Sequence, residues 1–165
     1  MKITVGLFGT CANSTWREPF IKEYKQRKID FFNPDLGDDW TPDAAEDENR
    51  HLMEDDIILF PVLSWSHGFG SLGEIGFSIM TVMNNVLEGS NQYLIVLIDD
   101  KCEMKDADAE TIKQSNNTRK IIKSKVEDVK HPNVFLVNTL DEMKELSFRL
   151  VALAEQHAKL RKDFS

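Results

Sequence analysis

The stretch 56-DIILFPVLSWSHGFGSLGEIGFSIM-80 joins two kinds of periodicity. Its first part, 56-DIILFPVL-63, is apolar at consecutive positions, the pattern of a strand covered on both faces. Its last part passes Gly68, Gly70 and Gly73 and enters a helical run expected over 71–88, stopping at Gly89. A doubly covered strand feeding a helix is half of a βαβ crossover, so the flanking runs should repeat the unit. Glu74 resists this apolar reading. Its neighbours Leu72, Ile75, Phe77, Ile79, Met80, Val82, Met83, Val86 and Leu87 leave the helix almost no polar face. Such a helix is covered on nearly all sides, in the core or against a second subunit. A carboxylate there costs free energy unless it is paired, solvated or used. A place in the first turn would let the helix dipole favour the anion. An ordinary helix-start charge is the competing reading.

Outward from this stretch, strand-like runs recur at 2-KITVGLF-8, 29-IDFFN-33, 93-YLIVLI-98 and 133-NVFLV-137. A first helix is expected over 15–27, opened by Thr15 and Glu18 at capping-box spacing. A second is expected over 42–52, with Pro42 at its start and Asp43, Glu46, Asp47 and Glu48 near its positive end. A polar helix is expected near 107–127 and a long amphipathic one near 139–161, while 100–118 reads as an exposed, mobile excursion or simply as solvated surface. The order βαβαβαβαβα predicts an α/β fold, a single domain over 1–165. Its core would be a doubly wound, five-stranded parallel sheet of flavodoxin-like order 2-1-3-4-5.

With 165 residues, 41% hydrophobic and 29% charged, the chain can bury a core and is not disordered. A net charge of −8 argues against a nucleic-acid polymer or an anionic membrane as partner. Cys11 and Cys102 form neither a disulfide framework nor a metal spacing, and no apolar run approaches membrane-spanning length. The opening residues read as a strand rather than a signal peptide. A reduced, cytoplasmic setting is expected, with no metal and no cofactor.

In a doubly wound sheet, ligands bind beyond the carboxyl ends of the strands where the strand order reverses, here the loops after strands 1, 2 and 3. After strand 1, 9-GTCANSTWRE-18 offers Gly9 for close backbone approach and Thr10, Asn13, Ser14 and Thr15 as polar groups beside a helix start. These suit a phosphate or a sugar hydroxyl, although a capped turn explains them as well. After strand 2, 33-NPDLGDDWTPD-43 is a stiff loop. In it Asn33 is a ligand group or a turn former, and Trp40 a core plug or a stacking face. After strand 3, Gly68, Gly70 and Gly73 let backbone crowd a ligand, with Trp65, His67 and Phe69 as an aromatic wall. His67 reads equally as a solvated loop histidine.

The stretches 8-FGTCANSTWRE-18, 31-FFNPDLGDDWTPD-43, 46-EDENRHLMEDDIILF-60 and 70-GSLGEIG-76 together resemble the nucleoside 2-deoxyribosyltransferase superfamily, in its deoxyribosyltransferase-like branch. The resemblance covers the first half of the chain. It implies that Glu74 attacks the anomeric carbon of a deoxyribonucleoside or nucleotide, forming a sugar ester that passes to another base or to water. It implies a positioning role for Glu48, with Asp47 as the neighbouring alternative, while Asp56 caps strand 3 and Asp55 faces solvent. Gly9, Thr10, Asn13, Ser14 and Trp16 would line the sugar and base side, Asn33 and Trp40 would close the pocket, and Gly70 would approach the ligand. Arg17 would reach a 5′-phosphate or the base, or else be an exposed helix-start arginine. The family's aspartate just before the glutamate motif is absent from 66-SHGFGS-71, and His67 is the substitute acid. Without an acid, the fold would serve as a nucleotide sensor or sequestering protein. A flavin-binding reading fits poorly, because no hydroxyl-rich loop suits FMN. Helix 71–88 and the final helix, with Leu146, Leu150, Leu153 and Leu160 on one side, suggest a homodimer or larger homo-oligomer. The final helix reads nearly as well as the last cover of the sheet.

Overall fold

The computed structural model describes residues 2–11, 14–34, 41–87 and 91–163. The elements run β1 (Thr4–Leu7), α1 (Arg17–Arg27), β2 (Asp30–Phe32), α2 (Pro42–Glu54), β3 (Ile57–Val62), α3 (Phe69–Leu87), β4 (Tyr93–Ile98), α4 (Ala109–Val129), β5 (Val134–Val137) and α5 (Leu140–Asp163). All strand pairs are parallel, in the expected order β2-β1-β3-β4-β5.

Alternation along the strands feeds two cores. Val5, Leu7, Ile57, Leu59, Tyr93, Ile95 and Leu97 pack with Phe20 and Tyr24 of α1 and Met143, Leu150 and Val151 of α5. Phe8, Ile58, Phe60, Val62, Leu94, Val96 and Ile98 face the other way, onto Leu52 of α2, Leu72, Ile75, Ile79 and Val82 of α3, and Val126 of α4. All six positions of β3 and of β4 are buried, which is why both read as unbroken apolar runs. α5 is therefore a sheet cover along its middle, while Leu153 and Leu160 stay exposed.

Local details depart from the sequence reading. The Thr15–Glu18 capping box does not form. Trp16 occupies the N-cap of α1 without a side-chain cap, because burial of Trp16 and Arg17 sets the helix entry. Thr41 does cap α2, its hydroxyl accepting from the Ala44 N–H at 3.1 Å. The stretch 100–118 is mostly exposed, as a solvated surface would be, but it is tied to the fold and half of it is helical. Cys102 is buried with its N–H on Asn116 Oδ1 at 2.7 Å, and α4 has already begun at Ala109 behind an Asp108 cap. The expected stop at Gly89 lies outside the described residues.

A buried amide network fixes how α2 meets α3. The Gln92 side chain donates to Leu52 O at 3.2 Å and Asp55 O at 2.8 Å, and its oxygen accepts from Asn85 Nδ2 at 2.9 Å. Asn85 also donates to Met53 O at 3.0 Å. The end of α2, the end of α3 and the approach to β4 are thus one hydrogen-bonded unit.

Asp56 acts structurally, as expected: its carboxylate accepts from the Thr4 N–H at 2.9 Å. Asp55 does not face solvent. It is 4% exposed, with Oδ1 2.8 Å from His51 Nδ1 and Oδ2 buried without a hydrogen bond among the described residues. Burial pushes its pKa up to about 6 from 3.8, against the pull of His51. The folded state therefore holds this proton where the unfolded state has lost it. Its contribution is largest below pH 4 and is lost as pH rises through about 6. Denaturant melts of wild type and Asp55→Asn between pH 4 and 7 are expected to show wild-type stability declining relative to the variant. Parallel curves would refute this.

Candidate functional site

The strand order reverses between β1 and β3, and a cleft of about 360 Å³ opens there between α2 and α3. The sheet supplies Phe8 and Phe60, whose rings stack at 6.2 Å. Ala45, Glu48, Asn49 and Leu52 come from α2, and Glu74 and Phe77 from α3. The volume lies in the range of small-molecule sites.

Glu48 and Glu74 are brought to the same cleft. The pKa of Glu48 is raised, first by burial and then by the Glu74 charge, with the Arg17 charge pulling the other way. The pKa of Glu74 is raised by burial alone. Glu74 is open to water through the cleft mouth, yet protein crowds its carboxyl enough to disfavour the anion. α3 starts at Phe69, so Glu74 stands in the second turn rather than the first. The helix dipole, which fades beyond the first turn, gives it little support. Neither carboxyl forms an ion pair among the described residues. Asp47 instead pairs with Arg50 on the outer face of α2.

The loop after β1 is built by its own polar groups. The Thr10 hydroxyl donates to Pro61 O at 3.1 Å and accepts from the Leu63 N–H at 3.0 Å, locking this loop to the end of β3. Gly9 holds φ 87, and a Cβ there would stand 2.4 Å from Pro61 O, so only glycine fits. Trp16 is 3% exposed in the core, its indole N–H donating to Thr10 O at 2.8 Å; it does not line the cleft.

Arg17 is not an exposed helix-start arginine. It is 3% exposed and donates to Leu7 O at 2.8 Å and Thr10 O at 2.9 Å, tying the end of β1 to α1. The Ser14 hydroxyl is buried without a hydrogen bond among the described residues. Asn33 follows β2, half-buried and outside the cleft lining. Asn13 and Trp40 lie outside the described residues.

His67 lies outside the cleft lining. Its ring stacks on Phe69 at 6.0 Å, and its carbonyl accepts from the Ser115 hydroxyl at 2.7 Å. Gly70 is exposed at the start of α3, also outside the lining. Among the described residues, no three His, Cys, Asp or Glu side chains are placed to share a metal ion, and no helix is long and apolar enough to cross a membrane.

The sequence reading missed Asn49 and Phe77 as cleft residues and Arg119 as the anchor of the loop after β3. Arg119 is fully buried, donating to Val62 O at 3.0 Å, Leu63 O at 2.9 Å, Ser66 O at 2.7 Å and Asp99 O at 3.1 Å. The spacing Ile112, Ser115, Arg119, Ile122, Val126 is a helix-face stripe with two polar members, and it carries the signal.

The chain is similar in fold to one from the crystal structure of the RPS4 and RRS1 TIR domain heterodimer, with a TM-score of 0.51 and 6% identity over 91% of this chain and 98% of that one. At that identity the likeness shows the fold alone. No family model and no curated protein sequence matches the chain.

Proposed function

We propose that the protein cleaves or exchanges the N-glycosidic bond of a nucleoside or nucleotide, with Glu74 as nucleophile and Glu48 as the carboxylate that orients the reacting group. The observation that carries this reading is the pair Glu48 and Glu74 facing one cleft at the strand-order reversal, both with raised pKa values. Two carboxyls in one small cleft are the equipment of glycosidic chemistry. Glu74 would attack the anomeric carbon as the base departs with the bonding electrons and takes a proton from water at the open cleft mouth. The resulting ester would be opened by water or by a second base. Phe8, Phe60 and Phe77 supply apolar surface for the base.

The described lining includes two carboxylates and neither lysine nor arginine, so two acidic groups outweigh the single positive charge of Arg17 that reaches Glu48. That balance favours an unphosphorylated nucleoside over its 5′-monophosphate. The acidic, cysteine-poor composition fits a cytoplasmic enzyme, and self-association into a homodimer or larger homo-oligomer is part of the reading.

The test is incubation with a panel of ribo- and deoxyribonucleosides and their 5′-monophosphates, with and without a second free base, followed by chromatography. Free base or a new nucleoside is expected, with kcat/KM at least about tenfold higher for the unphosphorylated form, the scale of one unfavourable charge contact. No product from any member would overturn the proposal.

A second reading has its own support. Chain 66–71 carries no carboxylate, and the His67 ring stacks on Phe69 outside the cleft lining, so a general acid is not in place. A binding protein that sequesters or senses a nucleoside would show ligand-dependent stabilisation without product.

A further inference from the structure

α3 has a second face that the monomer leaves uncovered. Leu72, Ile75, Ile79 and Val82 enter the core, whereas Phe77, Met80, Met83 and Leu87 are 54%, 57%, 37% and 86% exposed. At 3.6 residues per turn, Phe69, Gly73, Gly76, Met80, Met83 and Leu87 fall along one line, with Phe77 on its flank. Glu74 is the one charged residue of α3 and turns off this line toward the cleft. We propose that this stripe is the face on which a second copy of the chain docks, α3 against α3 about a two-fold axis.

Three observations favour a second copy as the occupant. The first is area. With Met53, 53% exposed at the adjoining end of α2, the stripe and its flank leave roughly 600 Å² of apolar side chain open per protomer, taking about 200 Å² for a large side chain. A standard interface needs about 600–1,000 Å² per partner, so this surface meets the requirement before any polar rim is added.

The second is charge. Each copy carries a net −8, and a face free of charge along its centre is where two such copies can meet without like-charge contact. The third is shape. A Cβ added to Gly73 or Gly76 would meet nothing within 4 Å, so the monomer has hollows there that none of its own atoms fill. Ridges and hollows lie on the same helix. An antiparallel crossing centred between Gly76 and Phe77 would set Met80 of each copy over Gly73 of the other, and Phe77 beside Gly76. Such a face complements itself, as an isologous contact must. Phe77 also lines the cleft, so the interface and the cleft share a wall.

This proposal deepens the self-association in the functional reading and does not depend on the glycosidic chemistry, so its test involves no substrate. Wild type, Gly76→Leu and Met80→Lys would be compared by light scattering and sedimentation from about 1 to 100 µM, bracketing a micromolar Kd. Wild type is expected to be dimeric at the upper end. Gly76→Leu adds bulk to open space and improves helix propensity, and Met80→Lys changes an exposed side chain. Both are therefore expected to keep the wild-type circular dichroism spectrum and to be monomeric throughout, a shift of at least about tenfold in Kd. A monomeric wild type at 100 µM, or a dimer that persists in both folded variants, would overturn the proposal.

Discussion

Replacing Glu74 by Gln is expected to leave the fold intact and to lower kcat/KM for glycosidic cleavage by at least about 10³-fold, the scale on which covalent catalysis fails when its nucleophile is removed. Gln keeps the shape and hydrogen-bonding reach of the side chain and removes only the anion. Stability should not fall, because Glu74 makes no ion pair among the described residues and its carboxyl is already disfavoured by burial. Far-UV circular dichroism and melting temperature would establish that the variant is folded before its rate is read. The pH profile gives a second readout. The attacking group must be ionised, and its pKa is raised above its ordinary value of 4.5. The wild-type rate is therefore expected to fall on acidification, with its acid limb displaced above the ordinary carboxylate range. Glu48 shares the cleft and is also raised, so the acid limb belongs to the pair rather than to one residue. Any residual activity of Glu74→Gln should lack the part of that limb due to the nucleophile. Full activity in the variant would refute covalent attack by Glu74. Ligand-induced stabilisation of both proteins without product would favour the sequestering alternative.

The fold was legible because its signals are redundant. β3 and β4 are apolar at every position since both faces are covered, and the remaining runs recur at crossover spacing. The candidate cleft was legible in part, for a physical reason. Glu74 and Glu48 stand out because a carboxylate is costly beside apolar neighbours, and topology brings the two helices that carry them together. What hydrogen-bonding geometry decides was not readable in the same way. Thr10 and Arg17 have the chemistry of ligand groups, yet both are consumed by backbone carbonyls at the ends of β1 and β3. Trp16 has the chemistry of a stacking face, yet its N–H is satisfied inside the core. A sequence shows what a side chain can bond, and the competing acceptors appear only when the strand ends are in place. Helix starts follow the same logic. α3 begins two residues before the expected 71, which moves Glu74 out of reach of the dipole and makes burial the sole cause of its raised pKa.

Arg119→Met is expected to be the most destabilising single change, costing about 4 kcal/mol or more, which places it in the tail of point-mutant effects. The guanidinium is fully buried and has an acceptor for every donor position: Nε to Ser115 Oγ at 3.2 Å, and the two terminal nitrogens to the carbonyls of Val62, Leu63, Ser66 and Asp99. Methionine fills the apolar volume and leaves four carbonyls without that donor, two of them in the segment between β3 and α3. Each charge-assisted hydrogen bond of this kind contributes roughly 1.5–3 kcal/mol, and an acceptor left dry costs about 1–3 kcal/mol. Burial already lowers the Arg119 pKa, so desolvation of the cation offsets part of the gain; the cost is therefore set well below the simple total. Arg119→Lys should recover only part of the loss, because one ammonium cannot span acceptors that a planar fork reaches. At about 2–4 °C per kcal/mol for a chain of this size, Arg119→Met should melt roughly 10 °C or more below wild type. The segment it holds leads directly into α3, so the residue that ties down the carboxyl ends of β3 and β4 also sets the start of the helix that carries Glu74. In whatever fraction of Arg119→Met stays folded, kcat should fall more than in a surface control such as Lys120→Met. A variant within 1 kcal/mol of wild type in denaturant melts would mean that water replaces the guanidinium without loss, and that the carbonyls at the ends of β3 and β4 need no cation.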